Sequence, residues 1–233
     1  MIARAAFART GRRIAPAGVA AVLLWCAGSR VARRSGDVGD ADLARTLPGD
    51  SVVQVPWHVV DRAAVLPAPA AEVWPWLLQV GKGRGGWYAP RWLQTLLGGH
   101  PRSLRTIDPQ MPPPRLGAML ADWGPGSLEV LQVEENQLVY GSVIPDRPRS
   151  DGGYHFSWLF LVEPLDDRTS RLYTRLRFAE PQRRAVRTAL RPLVPIAALP
   201  DYITFEWLFA GLRERVREAA ATRGLGPDMD RET

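Results

Sequence analysis

Acid-base chemistry has two candidate side chains in this sequence, Glu206 and Tyr88. Glu206 stands between Phe205 and Trp207, and a carboxyl group that is desolvated by aromatic rings has a raised pKa that suits proton transfer. The alternative, which the sequence favours, is an ion pair between Glu206 and an arginine such as Arg84. Burial of Glu206 without a cation would support the catalytic role, and a surface ion pair would remove it.

A glycine-rich segment, Gly81-x-Gly83-x-x-Gly86, has the spacing of a dinucleotide-binding fingerprint. That fingerprint must follow a strand and open a helix, so that a helix N-terminus faces the phosphates. Here the glycines follow a predicted helix. We therefore expect Gly81 to end that helix and the next residues to form a turn, with no dinucleotide cofactor.

Other catalytic and metal-binding patterns are missing from the sequence. The three histidines, His58, His100 and His155, have no metal-ligand spacing, and Cys26 is the single cysteine. The sequence has no Gly-x-Ser-x-Gly, His-Glu-x-x-His or P-loop motif. We therefore expect no metal and no cofactor, and the pattern favours binding over catalysis.

Positive charge is concentrated at one end of the chain. The 233 residues carry a formal net charge of +6, yet residues 1–34 alone hold seven arginines and no acid. The rest of the chain is therefore close to neutral. Nucleic-acid binding requires a basic face on the folded domain, and we expect no nucleic-acid partner.

The apolar run from Ile14 to Ser29 is the candidate for membrane contact. Its 16 residues are uncharged and have arginines on both sides, whereas a spanning helix needs roughly 20 apolar residues. We expect a short membrane anchor, spanning or interfacial, whose sidedness the flanking arginines leave open. A cleaved secretory signal and the poorly ordered leader of a cytoplasmic protein are the alternatives.

The rest of the chain divides into a linker, a domain and a tail. Residues 35–50 are polar and include Pro48-Gly49, which predicts a linker. The domain is expected at 51–223, and a disordered tail at 224–233. Hydrophobic patterning predicts strands at 57–66, 118–123, 127–134, 137–144, 154–162 and 170–178, helices at 70–80, 90–97 and 201–220, a broken helix at 183–194, and an irregular segment at 98–117.

These elements predict an α+β fold in which a curved antiparallel sheet wraps around the last helix. Short loops between consecutive strands are typical of an antiparallel meander. The last helix has an apolar stripe that needs one partner surface. On the last strand, we expect Arg175 and Arg177 on a solvated outer face, with Leu176 and Phe178 facing the interior.

Two motifs, Val73-Trp74-Pro75-Trp76-Leu77 and Arg84-Gly85-Gly86-Trp87-Tyr88, carry a resemblance to a known family. With Trp158-Leu159-Phe160-Leu161-Val162-Glu163-Pro164-Leu165, Thr169-Ser170-Arg171-Leu172 and Phe205-Glu206-Trp207, they resemble the START/Bet v 1-like (SRPBCC) superfamily. The similarity is to its bacterial polyketide cyclase/dehydrase and lipid-transport type, over roughly residues 51–222. It implies a helix-grip fold with two short helices after the first strand and a deep apolar cavity. Members bind hydrophobic ligands and some catalyse cyclisation or dehydration, without a universal catalytic motif.

Aromatic side chains supply most of the expected ligand contacts. Core packing is the default interpretation for tryptophan, and we favour it for Trp76 and Trp158. Trp87 and Tyr88 lie in a predicted loop, where flat amphipathic rings suit the mouth of a cavity. The expected ligand-binding residues are Trp74, Trp87, Tyr88, Trp92, Trp123, Trp158, Leu176, Phe178, Phe205, Glu206 and Phe209.

The sequence thus predicts a membrane-associated domain that binds, and so could transport or sequester, a hydrophobic small molecule or lipid. One alternative is a cyclase/dehydrase-type enzyme that uses Glu206 or Tyr88 in the same cavity. Another is a non-catalytic interaction module with a filled core.

Overall fold

The computed structural model describes residues 4–96, 103–121, 126–143, 154–181 and 183–224. Their elements follow in chain order. They are α1 (Arg4–Val31), β1 (Arg34–Gly36), α2 (Asp40–Ala44), β2 (His58–Leu66), α3 (Ala70–Gln79), α4 (Arg91–Leu96), β3 (Met119–Ala121), β4 (Ser127–Glu134), β5 (Gln137–Val143), β6 (Phe156–Pro164), β7 (Ser170–Phe178), α5 (Arg184–Leu190), a 3-10 turn (Arg191–Leu193) and α6 (Val194–Gly224).

The seven strands form one sheet in the order β1-β2-β7-β6-β5-β4-β3. Strands β3 to β7 pair antiparallel with their sequence neighbours, and β2 joins the meander beside β7. The apolar stripe of α6 packs with the inner face of the sheet in one core. The predicted α+β helix-grip architecture is confirmed.

Both faces of the sheet are covered, which the alternating pattern of its strands did not indicate. The segment 35–50, predicted to be a linker, instead packs on the outer face. Strand β1 pairs in parallel with β2, and Leu47 is buried in a second core with Val139, Leu159 and Tyr173. The composition of the segment is polar because its charged groups meet charged partners on the sheet.

Arg175 on β7 is one of the sheet residues that this outer segment covers. Its side chain is 3 % exposed, and its Nε donates to Asp61 Oδ1 at 2.6 Å. The other guanidinium nitrogens donate to the carbonyl oxygens of Arg45 and Asp42, both at 2.8 Å. The expectation that Arg175 lies on a solvated face was wrong, because residues 42–50 pass over it.

Asp42 fastens this outer segment to the sheet, and it does so in a pH-dependent way. Arg171 donates to Asp42 from β7, at 3.0 Å in one of two contacts. This pairing with Arg171, helped by the Gly39 N–H, lowers the pKa of Asp42 to about 2. A carboxylate whose folded pKa is depressed stabilises the fold above its unfolded pKa and loses that effect as the pH falls toward the folded pKa.

We therefore expect Asp42→Asn to lower the free energy of unfolding at neutral pH by about 1.5–3 kcal/mol, the contribution of a hydrogen bond to a charged group. The difference from the unmodified protein should shrink between about pH 4 and about pH 2, where the native carboxylate itself becomes protonated. Urea unfolding across this pH range measures it, with the exposed Asp167→Asn as control. A difference that is independent of pH would contradict the assignment.

Candidate functional site

The glycine-rich segment forms a tight turn directly after α3. Gly81, Gly83 and Gly86 have φ angles of +128°, +75° and +84°, which side-chain-bearing residues rarely adopt. Gly81 and Gly86 exchange two backbone hydrogen bonds, each 3.1 Å long. Because the glycines follow a helix and open no new one, the turn lacks the geometry that holds a dinucleotide phosphate.

Tyr88 points into the core rather than toward a cavity mouth. It is fully buried, its hydroxyl donates to the Trp76 carbonyl at 2.8 Å, and its ring stands perpendicular to the Trp76 ring at 5.5 Å. Burial raises the pKa of the hydroxyl above its ordinary value. The proton is therefore retained at neutral pH and is engaged by a main-chain acceptor, which does not suit a general base.

Several of the expected ligand-binding residues come together between the sheet and α6, where they contact one another. Trp87 is half-buried and stacks on Trp158, with ring centroids 5.4 Å apart and planes 9° apart. Trp158 also meets the Phe205 ring edge-on at 5.9 Å, and Phe205 lies 5.9 Å from Phe209. Leu176 is buried in the same core. The Phe160 ring lies 4.6 Å from the Trp158 ring. These contacts make one aromatic cluster, which we define as Trp87, Trp158, Phe160, Phe205 and Phe209.

The other expected residues lie around this cluster or away from it. Trp74 and Phe178 are partly buried and pack against the core, whereas Trp92 is exposed on α4. Trp123 and His100 lie outside the described residues. Sequence alone could not separate these positions, because a tryptophan fits equally well in a core and on a rim.

Glu206 matches neither of the two expected arrangements. Its side chain is half-buried on α6, and within the described residues it forms no hydrogen bond or ion pair. Arg84, the expected partner, instead donates to the carbonyl oxygens of Leu78 and Pro112 at 2.9 and 2.6 Å. The expected Glu206–Arg84 pair is therefore not formed, and Arg84 binds the irregular segment to the end of α3.

Arg215 is a buried cation that the sequence analysis missed. Its Nε donates to the Leu104 carbonyl at 2.7 Å, one Nη donates to the Gly211 carbonyl at 2.8 Å, and its guanidinium lies 4.7 Å from the Tyr88 ring centre. Burial lowers the pKa of Arg215 to about 10. In the part of the chain that the structure describes, no carboxylate forms an ion pair with it. Arg215 therefore holds the loop residues Tyr88 and Leu104 against α6.

An open cleft of about 570 Å³ lies between α3, residues 105–107 and the last turns of α6. Two ion pairs stand at its rim, Glu72–Arg223 and Arg105–Glu218. Trp76 lines the cleft and also belongs to the core that contains the aromatic cluster. The remaining lining residues are Ala71, Pro75, Thr106, Ile107, Val216, Ala219 and Thr222.

A second cleft, of about 620 Å³, opens on the outer face of the sheet. Half of its lining residues are charged, with Arg45, Asp50, Asp61, Arg175 and Arg177 among them. Asp61 and Asp50 pair with Arg175, Asp50 also pairs with Arg177, and Arg45 pairs with Asp42 and Glu163. These charges are therefore satisfied within the protein. Among the described residues, no group of three or more His, Cys, Asp or Glu side chains could hold a metal ion.

No protein-family model and no curated protein matches the chain. Similar solved structures include a protein of Nitrosospira multiformis, with 15 % identity over 70 % of this chain and 99 % of that one, at a TM-score of 0.42. Another is a polyketide-cyclase-like protein of Corynebacterium glutamicum, with 13 % identity, 72 % and 96 % coverage and a TM-score of 0.40. CalU16 of Micromonospora echinospora has 14 % identity, 76 % and 92 % coverage and a TM-score of 0.38.

The packing of the glycine-turn loop on α6 depends on Gly211. A Cβ atom at this position would lie 1.4 Å from the Tyr88 carbonyl oxygen. We expect Gly211→Ala to lower the free energy of unfolding by about 1–3 kcal/mol or more, because backbone must move to admit the methyl group. Thermal and urea unfolding measure the loss.

The matched control is Gly18→Ala, another glycine in a helix, where no atom lies within 4 Å of the added Cβ. This change should leave stability unchanged or raise it by up to about 1 kcal/mol through helix propensity. If the two variants proved equally stable, the close approach of Tyr88 to α6 would be disproved.

Proposed function

We propose that the protein binds a hydrophobic small molecule or lipid in the cleft beside Trp76. The observation that carries the proposal is the cleft itself. Its volume of about 570 Å³ falls within the roughly 300–1,000 Å³ of small-molecule sites. Its walls combine aliphatic and aromatic side chains with a few charged groups at the rim, as such sites commonly do.

The rim suggests the polar part of the ligand. Arg223 is paired with Glu72, and Arg105 is paired with both Glu214 and Glu218, at positions that solvent still reaches. Ion pairs at such exposed positions contribute little to stability, so a ligand can open them at small cost. An apolar body against Trp76, Ile107 and Val216, with an anionic head at one of these guanidinium groups, fits this lining.

In this proposal the aromatic cluster lies behind the lining of the site, in the same core as Trp76. Its rings contact one another and leave Trp76 as the aromatic surface that faces the cleft. Trp87, Trp158, Phe205 and Phe209 would then support the ligand through a rigid apolar layer. Trp74, Trp92, Leu176, Phe178 and Glu206 remain proposed members of the site's surroundings.

We further propose that residues 14–29 attach the protein to a membrane. These residues lie within α1, and their described side chains are exposed almost throughout. Large apolar groups face solvent there, among them Val19, Val22, Leu23, Leu24 and Trp25. An exposed apolar helix of this kind is stabilised by contact with lipid, and a membrane is also a source of hydrophobic ligands.

Filling the cleft tests ligand binding. We expect Ala219→Phe to weaken the binding of the fluorescent fatty acid cis-parinaric acid at least about tenfold, because the ring occupies volume that the ligand needs. The control is Ala221→Phe, which places the same side chain two residues further along α6, at an exposed position outside the cleft. Fluorescence titration measures both, and circular dichroism confirms the fold.

Two results would contradict the cleft as the site. One is the absence of saturable binding to the unmodified protein. The other is equal binding by the Ala219→Phe and Ala221→Phe variants, which would place the fatty acid elsewhere.

Membrane attachment is tested by flotation of the full-length protein with lipid vesicles. The double variant Leu23→Glu/Leu24→Glu should lose most of its flotation, because a charge within the apolar part of a membrane-bound helix costs about 2.5–3.5 kcal/mol. Leu165→Glu, in the exposed turn between β6 and β7, should float like the unmodified protein. Undiminished flotation of the double variant would exclude α1 as the anchor.

A further inference from the structure

A second exposed apolar surface lies at the start of the C-terminal helical region. Helix α5 buries none of its side chains. Large apolar groups of α5, the 3-10 turn and the first part of α6 face solvent; they are Val186, Leu190, Leu193, Ile196 and Ile203. We call residues 184–203, which contain them, the exposed helical segment.

This segment continues directly into the helix that the sheet grips. Among the described residues, Arg184–Arg223 is the helical stretch long and apolar enough to cross a membrane, and 22 % of its most apolar window is buried. Its second half cannot leave the domain, however, because Phe205, Leu208, Leu212 and Val216 belong to the core. Only the first half can contact a membrane, and this contact must take place at the surface of the domain.

The exposed helical segment is in contact with α1. A Cβ atom at Gly28 would lie 1.8 Å from the Pro195 carbonyl oxygen, so the two helix backbones touch where they cross. The exposed large apolar side chains of α1 end at Trp25, before this crossing, and Leu193 of the 3-10 turn and Ile196 of α6 flank it. A membrane that meets one of these apolar surfaces is therefore close to the other.

Arginines without an ion pair lie near the crossing and at the start of α5. Arg30 follows Gly28 by two residues and Arg191 precedes Pro195 by four, so each lies within about one helical turn of the contact. Within the described residues, Arg30, Arg183, Arg184 and Arg191 form no ion pair, whereas the acids Glu180 and Asp201 are each engaged by another arginine. The local field is thus positive and lacks an internal counter-charge.

We propose that the exposed helical segment lies in the headgroup region of an anionic membrane, beside α1. Apolar side chains bordered by arginines are typical of helices that lie in the membrane interface, and unpaired arginines favour anionic lipid. The membrane then contacts the domain itself through α6. The proposal rests on the proposed membrane attachment of α1 because that attachment supplies the partner, a membrane. The contact proposed here is made by different residues, 184–203.

Site-specific fluorescence on the full-length protein tests this contact. In a Cys26→Ser background, which removes the single native cysteine, a new cysteine is placed at Leu193, Val22 or Leu165 and labelled with the environment-sensitive dye NBD. Vesicles of phosphatidylcholine with phosphatidylglycerol are then added. We expect NBD emission to shift to the blue and brighten at positions 193 and 22, with no change at position 165.

A charge variant tests the role of the arginines. Each arginine near an anionic surface strengthens binding about fivefold, so Arg183→Gln/Arg184→Gln/Arg191→Gln should lower affinity for the anionic vesicles about a hundredfold. Its affinity for pure phosphatidylcholine vesicles should be unchanged. The matched control is Arg168→Gln, in the exposed turn before β7, which should behave like the unmodified protein.

Three outcomes would overturn the proposal. A response at position 22 without one at 193 would leave α1 as an anchor and remove the second contact. A response at 193 that grows with protein concentration in the absence of vesicles would show that a second copy of the chain covers this face. Equal affinity of the triple variant and its control for anionic vesicles would show that these arginines have no role in membrane binding. Fatty-acid binding in the cleft is measured separately and can succeed or fail independently.

Discussion

The buried guanidinium of Arg62 joins the sheet to both the N-terminal helix and the C-terminal helix, and the rest of the structure depends on this connection. From β2, its Nε donates to Asp201 of α6 at 2.8 Å, and one Nη donates to the Val31 carbonyl at the end of α1 and to Ser35 Oγ in β1, at 3.0 and 2.8 Å. A buried cation that loses its carboxylate costs about 3–5 kcal/mol. The sheet, the N-terminal helix and the gripped helix are therefore constrained to keep one arrangement.

This constraint connects the two proposed contacts of the protein. Asp201 and Arg62 fix α6 at the point where it leaves the exposed helical segment and enters the core. Further along the same helix, Arg215 holds the loop that carries Tyr88, and the last turns form one wall of the cleft. A single continuous helix thus runs from the proposed membrane surface to the proposed ligand site.

Much of the fold follows from patterns that are local in the sequence. Strand β7 begins and ends where alternation predicted, at 170 and 178, as does β4 at 127 and 134. The apolar stripe of α6 faces the sheet because residues spaced by three and four share one side of a helix. Trp76 and Trp158 pack in the core as favoured. Less of the candidate site could be predicted. The expected aromatic residues do come together, but most of them contact one another instead of lining an open cavity.

The sequence by itself determined most strands of the sheet and the apolar stripe of the last helix, because these patterns repeat over a few residues; it did not indicate β1 or α2. Tertiary structure alone decided what covers the other faces. Arg175 is buried because the segment predicted as a linker returns over the sheet, and Tyr88 points inward because Gly211 admits its backbone to α6. Arg62 and Asp201 stand 139 positions apart. No local pattern encodes such a pairing, since it depends on which distant segments the fold brings into contact.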